Sequence, residues 1–209
     1  DFCLSRGLGD VYKRQIYNAL PPGFSIVREN RSFVRPITIG VVSRLEEIKG
    51  MDLVVPAFAQ VKKRYPDTRL VIVGEGSLRV KMQRQVQECD CTDNVEWAGR
   101  QPQERLMEWY RRMDIVLMPS RSEGFGLTAI EAMANGCVVV ASRTGGLPEV
   151  VQDGEVGLLH EVGSIDDMAN KIISLIATPE LLQKYSSEAI RYVRRYSFER
   201  YSQLFNGLY

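Results

Sequence analysis

The chain has 209 residues, of which 44% are hydrophobic and 25% are charged. This balance is typical of a globular protein, and the length suits one domain with a substantial core. The 27 basic and 26 acidic residues leave a formal charge of +1, which excludes the strongly basic surface that nucleic-acid binding usually needs.

The chain begins with a segment, residues 1–15, that differs in pattern from everything after it. It resembles translated adaptor sequence at the ends of environmental reading frames, so we expect it to be non-native; a genuine N-terminal arm is the alternative. Residues 16–36 are expected to be a linker that leads into a domain spanning residues 37–195.

From residue 37 onward, short apolar runs rich in β-branched residues alternate with amphipathic segments of helical spacing. The runs predict strands at residues 37–42, 69–73, 95–98, 114–118, 138–142 and 156–159. The intervening segments predict helices at residues 51–65, 77–89 (with Ser77 as the N-cap), 102–113, 125–135, 147–151, 165–177, 181–196 and 198–209. This alternation predicts a doubly wound, Rossmann-like α/β domain with a parallel sheet. Ligands of such a sheet bind at the carboxyl ends of its strands, beside helix N-termini.

Cysteine and histidine usage argues against disulfides and metals. The cysteines are Cys3, Cys89, Cys91 and Cys137, and their spacing does not suggest a disulfide framework. We expect reduced thiols in a cytoplasmic protein. Because His160 is the only histidine, a four-ligand zinc site is not expected. No apolar run in the sequence reaches the ~18–20 residues of a membrane span.

Two cations follow the first predicted strand. Arg44 and Lys49 lie on a loop that enters a helix, and both side chains can converge on one anion there. The guanidinium offers a planar fork for phosphate oxygens, and the ammonium offers a compact charge. The alternative is a solvated loop, where basic residues are common.

A glycine-bearing turn follows the strand at residues 114–118. Gly124 and Gly126 allow a ligand to approach the backbone, and the next helix presents N–H groups that favour a pyrophosphate. Glu123 in this turn would repel phosphate, so it indicates hydrogen bonding to sugar hydroxyls. The alternative for Glu123 is a helix-start residue that interacts with the helix dipole.

Glu131 lies eight residues after Glu123, among apolar helical neighbours. A buried carboxylate must be paired, hydrogen-bonded or protonated, and a vicinal diol such as a ribose would satisfy both of its oxygens. The alternative is a glutamate on a wet helix face. Gly145 and Gly146 indicate a further close backbone approach, which a plain turn explains nearly as well.

Taken in order, these segments resemble the C-terminal domain of GT-B glycosyltransferases, specifically the large retaining family 4, over residues 16–209. The family's phosphate-binding pattern G-x-x-S/G-R-L-x-x-x-K-G stands at residues 40–50. Its E-x7-E element runs from Glu123 to Glu131 with E-G-F-G-L intact, and a glycine pair precedes Pro148 and Glu149. Val138 departs from the family, in which proline is frequent at this position.

The resemblance implies a diphosphate site. Arg44 and Lys49 would bind the donor diphosphate and stabilise it as it leaves, and Leu127 and Thr128 would lend backbone N–H groups to phosphate. No metal and no separate cofactor is implied, since the nucleoside-diphosphate sugar is itself the donor substrate.

The resemblance also implies how the sugars are held. Glu123 would hydrogen-bond the donor sugar, and the backbone of Gly124, Phe125 and Gly126 would lie close to that sugar. Glu131 would hold the nucleotide ribose. The sequence does not specify the donor sugar or the nucleobase.

The implied activity is transfer of a sugar, with retention of configuration, to a glycan, a lipid-linked acceptor or a small molecule. Most of the acceptor site would belong to an N-terminal Rossmann-like domain outside this chain, toward which a helix at residues 196–209 is expected to pack. This chain alone is therefore expected to be inactive. The full-length protein is expected in the cytoplasm, with peripheral attachment to the inner face of the membrane left open.

Two other functions stay open from the sequence. The first is a nucleotide-binding module without transferase activity of its own. The second is a glycoside hydrolase that uses Glu123 and Glu131 as its acid–base pair, although that chemistry gives no role to Arg44 and Lys49.

Overall fold

The computed structural model describes residues 19–20, 24–27, 31–197 and 202. Its centre is a parallel sheet of six strands, which are β1 (Thr38–Val42), β2 (Arg69–Val73), β3 (Val95–Gly99), β4 (Ile115–Met118), β5 (Val138–Ser142) and β6 (Gly157–His160). The strand order is β3-β2-β1-β4-β5-β6, and every neighbouring pair is parallel. The predicted doubly wound α/β fold is confirmed.

Helices cover both faces of this sheet. They are α1 (Met51–Arg64), α2 (Arg79–Glu88), α3 (Leu106–Arg111), α4 (Leu127–Ala134), α5 (Leu147–Val150), α6 (Ile165–Ala177) and α7 (Pro179–Val193). One core cluster joins α1, α2 and α6 to the sheet, the other joins α3, α4 and α5 to its opposite face, and α7 contributes to both.

Alternation along a strand divides its side chains between the two clusters. In β5, Val138 and Val140 belong to the first cluster, whereas Val139 and Ala141 belong to the second. Successive side chains of a strand point to opposite faces, so a strand that is apolar throughout must be covered on both sides. The all-apolar runs in the sequence therefore led to the correct architecture.

Two predicted helix starts were wrong. Ser77 does not cap α2: the helix begins at Arg79, its N-cap is Leu78, and no side chain makes the cap hydrogen bond. The Leu78 N–H donates instead to the carbonyl of Leu45, 2.9 Å away, so the neighbouring loop fixes this position. Helix α4 begins at Leu127 and not at residue 125, because Gly126 has φ of 89° and lies outside the helical region.

Two other predicted helices have different bounds. The segment 102–113 divides into a 3-10 turn (Gln103–Arg105) and the short α3. The helix predicted at residues 181–196 runs from Pro179 to Val193 and continues as a 3-10 turn (Arg194–Tyr196). The helix predicted at residues 198–209 lies outside the described residues except for Ser202, and so does the segment 1–15.

Described parts of the predicted linker pack onto the domain. The Leu20 N–H donates to the Tyr196 carbonyl at 2.8 Å, and the Val27 N–H donates to the Ala134 carbonyl at 2.9 Å. Leu20 is buried with the second core cluster. These segments therefore lie against the α4 and α7 side of the sheet.

Candidate functional site

A cavity of about 250 Å³ opens where the winding of the sheet reverses. Strands β1 and β4 are direct neighbours there, although β2 and β3 separate them in sequence. Such a switch point is where doubly wound sheets bind their ligands. The lining residues include Ser43, Arg44, Lys49, Glu123, Leu127 and Thr128. The structure thus brings the predicted cations, one predicted carboxylate and the start of α4 to one hollow.

Lys49 and Glu123 form an ion pair at the centre of this site. The Lys49 Nζ lies 2.8 Å from the Glu123 Oε2, and their side chains are 22% and 16% exposed. The Ser120 hydroxyl donates to the same oxygen at 3.3 Å, and the Gly124 N–H donates to Oε1 at 3.2 Å. Lys49 and Glu123 therefore neutralise each other's charge in this site.

Arg44 is the more exposed of the two predicted cations. Its side chain is 68% exposed, and its guanidinium lies 3.6 Å from the Glu46 carboxylate. A surface pair of this kind contributes at most about 1 kcal/mol. An anion in the cavity can therefore compete for the Arg44 guanidinium.

The N-terminus of α4 supplies the third favourable element for an anion. Gly126 is its N-cap, and no side chain makes a cap hydrogen bond there. The first residues of the helix, Leu127 and Thr128, line the cavity. Uncapped N–H groups and the helix dipole both favour negative charge at such a position.

The turn at residues 124–126 lies beside the cavity, and Gly124, Phe125 and Gly126 are not among the residues that line it. The Phe125 ring packs edge-on against the Tyr196 ring, with 5.9 Å between the centroids. The Phe125 ring therefore anchors this turn to the second core cluster.

The glycine pair after β5 does approach a backbone closely, and that backbone is the protein's own. Gly145 has φ of 52°, and a Cβ added there would lie 1.8 Å from the carbonyl oxygen of Glu123. The Gly146 N–H donates to the Gly124 carbonyl at 3.0 Å. These two glycines therefore support the loop that carries Glu123.

Glu131 lies apart from the ion pair, one turn beyond Thr128 on α4. It is 5% exposed, and it is not among the residues that line the cavity. Its Oε2 accepts a hydrogen bond of 2.8 Å from the hydroxyl of Tyr110. Burial raises the pKa of the Glu131 carboxyl, and the Tyr110 hydrogen bond opposes that rise.

Sequence reasoning missed the residues that hold this site together. Tyr110 contacts Glu131, and Arg121 forms a two-pronged salt bridge with Asp52. The hydrogen bond from Arg121 lowers the pKa of Asp52 and raises that of Arg121. Arg121 and Asp52 are 69 residues apart, so no local pattern could have paired them.

No group of three or more His, Cys, Asp or Glu that could hold a metal ion occurs among the described residues. Within those residues there is also no helix with the length and apolar character needed to cross a bilayer. His160 is buried at the end of β6, and that burial lowers its pKa.

Residues 25–192 match the family model of glycosyl transferases group 1. The chain is 36% identical over 165 residues to D-inositol 3-phosphate glycosyltransferase from Segniliparus rotundus, covering 77% of this chain and 37% of that protein. It is 34% identical over 152 residues to the GDP-mannose-dependent alpha-(1-6)-phosphatidylinositol monomannoside mannosyltransferase of Mycolicibacterium smegmatis, covering 69% and 40%. The chain spans about two fifths of the length of these curated relatives.

Solved structures show the same relationship. The chain is 28% identical to the C-terminal domain of the glycosyl transferase group 1 family protein LpcC from Francisella tularensis, with a TM-score of 0.75, covering 84% of this chain and 96% of that one. It is 26% identical to Anabaena HepE in complex with UDP, with a TM-score of 0.74, covering 82% and 48%. The nearly complete coverage of an isolated C-terminal domain agrees with the predicted half of a GT-B fold.

Proposed function

The chain belongs to the glycosyl transferases group 1 family, and from that premise we propose that it binds the donor substrate of a retaining glycosyltransferase. The donor is a nucleoside-diphosphate sugar. The observation that carries this proposal is the cavity at the β1–β4 switch point, where two cations, a carboxylate and an uncapped helix N-terminus meet. The similarity to a protein crystallised with UDP supports the nucleotide class.

The diphosphate would occupy the space between the two cations and α4. Arg44 and Lys49 would neutralise its charge, and the N–H groups of Leu127 and Thr128 would bind its oxygens. These groups would also stabilise the additional charge on the diphosphate as the sugar departs. In this proposal no metal ion takes part, so sugar transfer by the intact protein should persist in excess chelator.

Glu123 would change partners when the donor binds. In the structure its Oε2 contacts the Lys49 ammonium at 2.8 Å. A diphosphate that draws Lys49 away would leave this oxygen to accept a hydrogen bond from a sugar hydroxyl. The adjacent backbone of Gly124, Phe125 and Gly126 would border the sugar.

Glu131 would hold the nucleotide ribose. One of its oxygens accepts from Tyr110, and the other would accept from a ribose hydroxyl. Because Thr128 lines the cavity and Glu131 follows it by three residues on α4, the ribose would bind next to the diphosphate, one helical turn away.

Nucleotide binding by this chain is the direct test. Titration calorimetry with UDP, GDP, ADP and dTDP should show saturable binding of at least one of them. Lys49→Ala and Arg44→Ala should weaken that binding, whereas the exposed residues at the far end of α1 supply matched controls, Lys63→Ala and Arg64→Ala. Equal affinity in all four variants would show that the diphosphate does not bind in this cavity.

Sugar transfer must be tested with the intact gene product. Transfer with retention, read from the anomeric NMR signals of the product, would support the proposal, and the acceptor would be a glycan, a lipid-linked glycan or a small molecule. Inverted product would overturn the retaining assignment. Nucleotide binding without any transfer would favour a binding module, and nucleotide-independent cleavage of simple glycosides would favour a hydrolase.

The cellular location of the full-length protein is a separate proposal. We place the full-length protein in the cytoplasm, where Cys89, Cys91 and Cys137 stay as the free thiols that the structure has. Cell fractionation of the intact protein distinguishes a fully dissolved enzyme from one bound peripherally to the inner membrane face.

A further inference from the structure

Arg121 joins two loops that each carry a residue of the proposed donor site. Its guanidinium donates to both oxygens of Asp52, at 2.7 and 2.8 Å, and to the carbonyl of Glu47 at 2.5 Å. Asp52 lies in the first turn of α1, and its side chain is 15% exposed. A two-pronged, charge-assisted pair of this kind fixes orientation as well as distance.

Backbone contacts bring the same two loops together. The Arg121 N–H donates to the Ile48 carbonyl at 2.9 Å. Gly50 has φ of 66°, and a Cβ added there would lie 1.9 Å from the carbonyl oxygen of Pro119. The segment at residues 47–52, which is a 3-10 turn followed by the start of α1, and the loop at residues 119–123 are therefore in direct backbone contact, with Arg121 as the side chain that joins them.

Lys49 and Glu123 extend from these joined loops. Lys49 lies between the two Arg121 attachment points at Glu47 and Asp52, and Glu123 follows Arg121 by two residues. The distance of 2.8 Å between the Lys49 ammonium and the Glu123 carboxylate therefore depends on how the loops are held. Arg121 itself does not line the cavity, and its guanidinium already donates to both oxygens of Asp52, so it is not placed to bind the donor.

We propose that Arg121, through its pair with Asp52, is a positioning residue that sets Lys49 and Glu123 at the spacing needed for the donor. This inference rests on the proposed donor-binding function. Arg121 acts through Lys49 and not on the nucleotide, which separates its role from that of a binding residue and from that of a residue needed only for folding.

A double-mutant cycle tests this role. The dissociation constants of UDP and GDP are measured by calorimetry for wild type, Arg121→Gln, Lys49→Ala and the double variant. We expect Arg121→Gln to weaken binding about tenfold in the wild-type background, the scale of one misplaced charge-assisted hydrogen bond. In the Lys49→Ala background the same change should cost less than about twofold, because the residue it positions is gone.

Two further variants separate positioning from stability. Asp52→Asn should reproduce the effect of Arg121→Gln, and Arg121→Lys should restore affinity only partly, since an ammonium cannot form the two-pronged pair. Arg143→Gln is the matched control, because it breaks the exposed pair between Arg143 and Asp153 at the neighbouring loop and should leave affinity unchanged. An equal loss of affinity in both backgrounds of the cycle would overturn the inference.

A second measurement needs no nucleotide. The rate at which an amine-acylating reagent modifies Lys49 is read by peptide mass spectrometry in wild type, Arg121→Gln and Arg143→Gln. Loss of the Arg121 pair should raise the Lys49 rate several-fold, and the control should match wild type. An unchanged rate would refute the positioning role, whereas wild-type protein that binds none of UDP, GDP, ADP and dTDP would refute the proposed function instead.

Discussion

The two glutamates of the E-x7-E element occupy contrasting environments. Glu123 lies on a loop and lines the cavity, with a cation 2.8 Å away and a side chain that is 16% exposed. Glu131 lies inside α4, is 5% exposed, and has a neutral tyrosine hydroxyl as its partner. The same residue type, at two positions eight residues apart, is thus held by two different kinds of interaction.

The contrast indicates which carboxylate can exchange partners. The ion pair of Glu123 lines the cavity, so the proposed diphosphate would compete with Glu123 for the cation. Glu131 is held by the buried Tyr110 hydroxyl, and the same burial raises the pKa of the Glu131 carboxyl. The proposed donor binding therefore requires Glu123 to change its partner, whereas Glu131 keeps its hydrogen bond from the Tyr110 hydroxyl.

The largest effect should come from Glu131→Gln. If the carboxylate holds the ribose, the change should weaken nucleoside-diphosphate binding by about 1–3 kcal/mol, the usual loss for a hydrogen bond to a charged group. Calorimetry measures it, with Glu180→Gln on the exposed first turn of α7 as the control. Equal affinity in both variants would leave Glu131 with a structural role only.

Tyr110→Phe should have the next largest effect, on stability. The change removes the hydroxyl that donates to the buried Glu131 carboxylate, and we expect a loss of about 1–2 kcal/mol in the free energy of unfolding. Urea denaturation measures it, and Tyr185→Phe, which lies in the other core cluster, is the matched control. A loss no greater than that of the control would show that Glu131 does not depend on this hydroxyl.

A smaller effect should appear in the pH dependence of stability. Since the folded state raises the pKa of Glu131, it binds that proton more tightly than the unfolded chain does, and stability falls as pH rises through the folded pKa. Glu131→Gln should therefore raise Tm relative to wild type at neutral pH and lose this advantage below the ordinary carboxyl pKa of 4.5.

The pKa of Asp52 shifts in the opposite direction to that of Glu131, so its variant should show the opposite dependence of Tm on pH. The hydrogen bond from Arg121 lowers its pKa, so its contribution to stability is present at neutral pH and is lost as pH falls through the folded pKa. Asp52→Asn should consequently lower Tm at neutral pH and differ least from wild type in acid. Parallel pH profiles for the two variants would contradict at least one of the two assignments.

The smallest effect should come from Glu123→Gln, and its sign is reversed. Removing the carboxylate releases Lys49 for the diphosphate, so UDP or GDP should bind up to about fivefold more tightly, the range of a partly exposed ion pair. Because Glu123 is proposed to bind the donor sugar, the same variant should also bind the nucleotide sugar no more tightly than the plain nucleotide. Weaker binding of the plain nucleotide would show that Glu123 does not compete for Lys49.

The sequence by itself determined the fold and most of its elements. The strands at residues 69–73 and 138–142 and the helix at residues 165–177 were predicted with the bounds that the structure has. These predictions succeeded because side-chain periodicity is a local property that reports directly which faces of an element are buried. The position of the cavity also followed, since parallel strands place their following loops at one edge of the sheet.

Tertiary structure alone decided which side chains meet at that edge. Lys49 and Glu123 are 74 residues apart, and Tyr110 and Glu131 are 21 apart. Their contacts depend on β1 lying next to β4 and on α3 packing against α4, neither of which a local pattern specifies. For the same reason the glycine pair at residues 145–146 could be identified as a close approach, while its partner, the backbone of Glu123, became visible only when β4 and β5 were placed side by side.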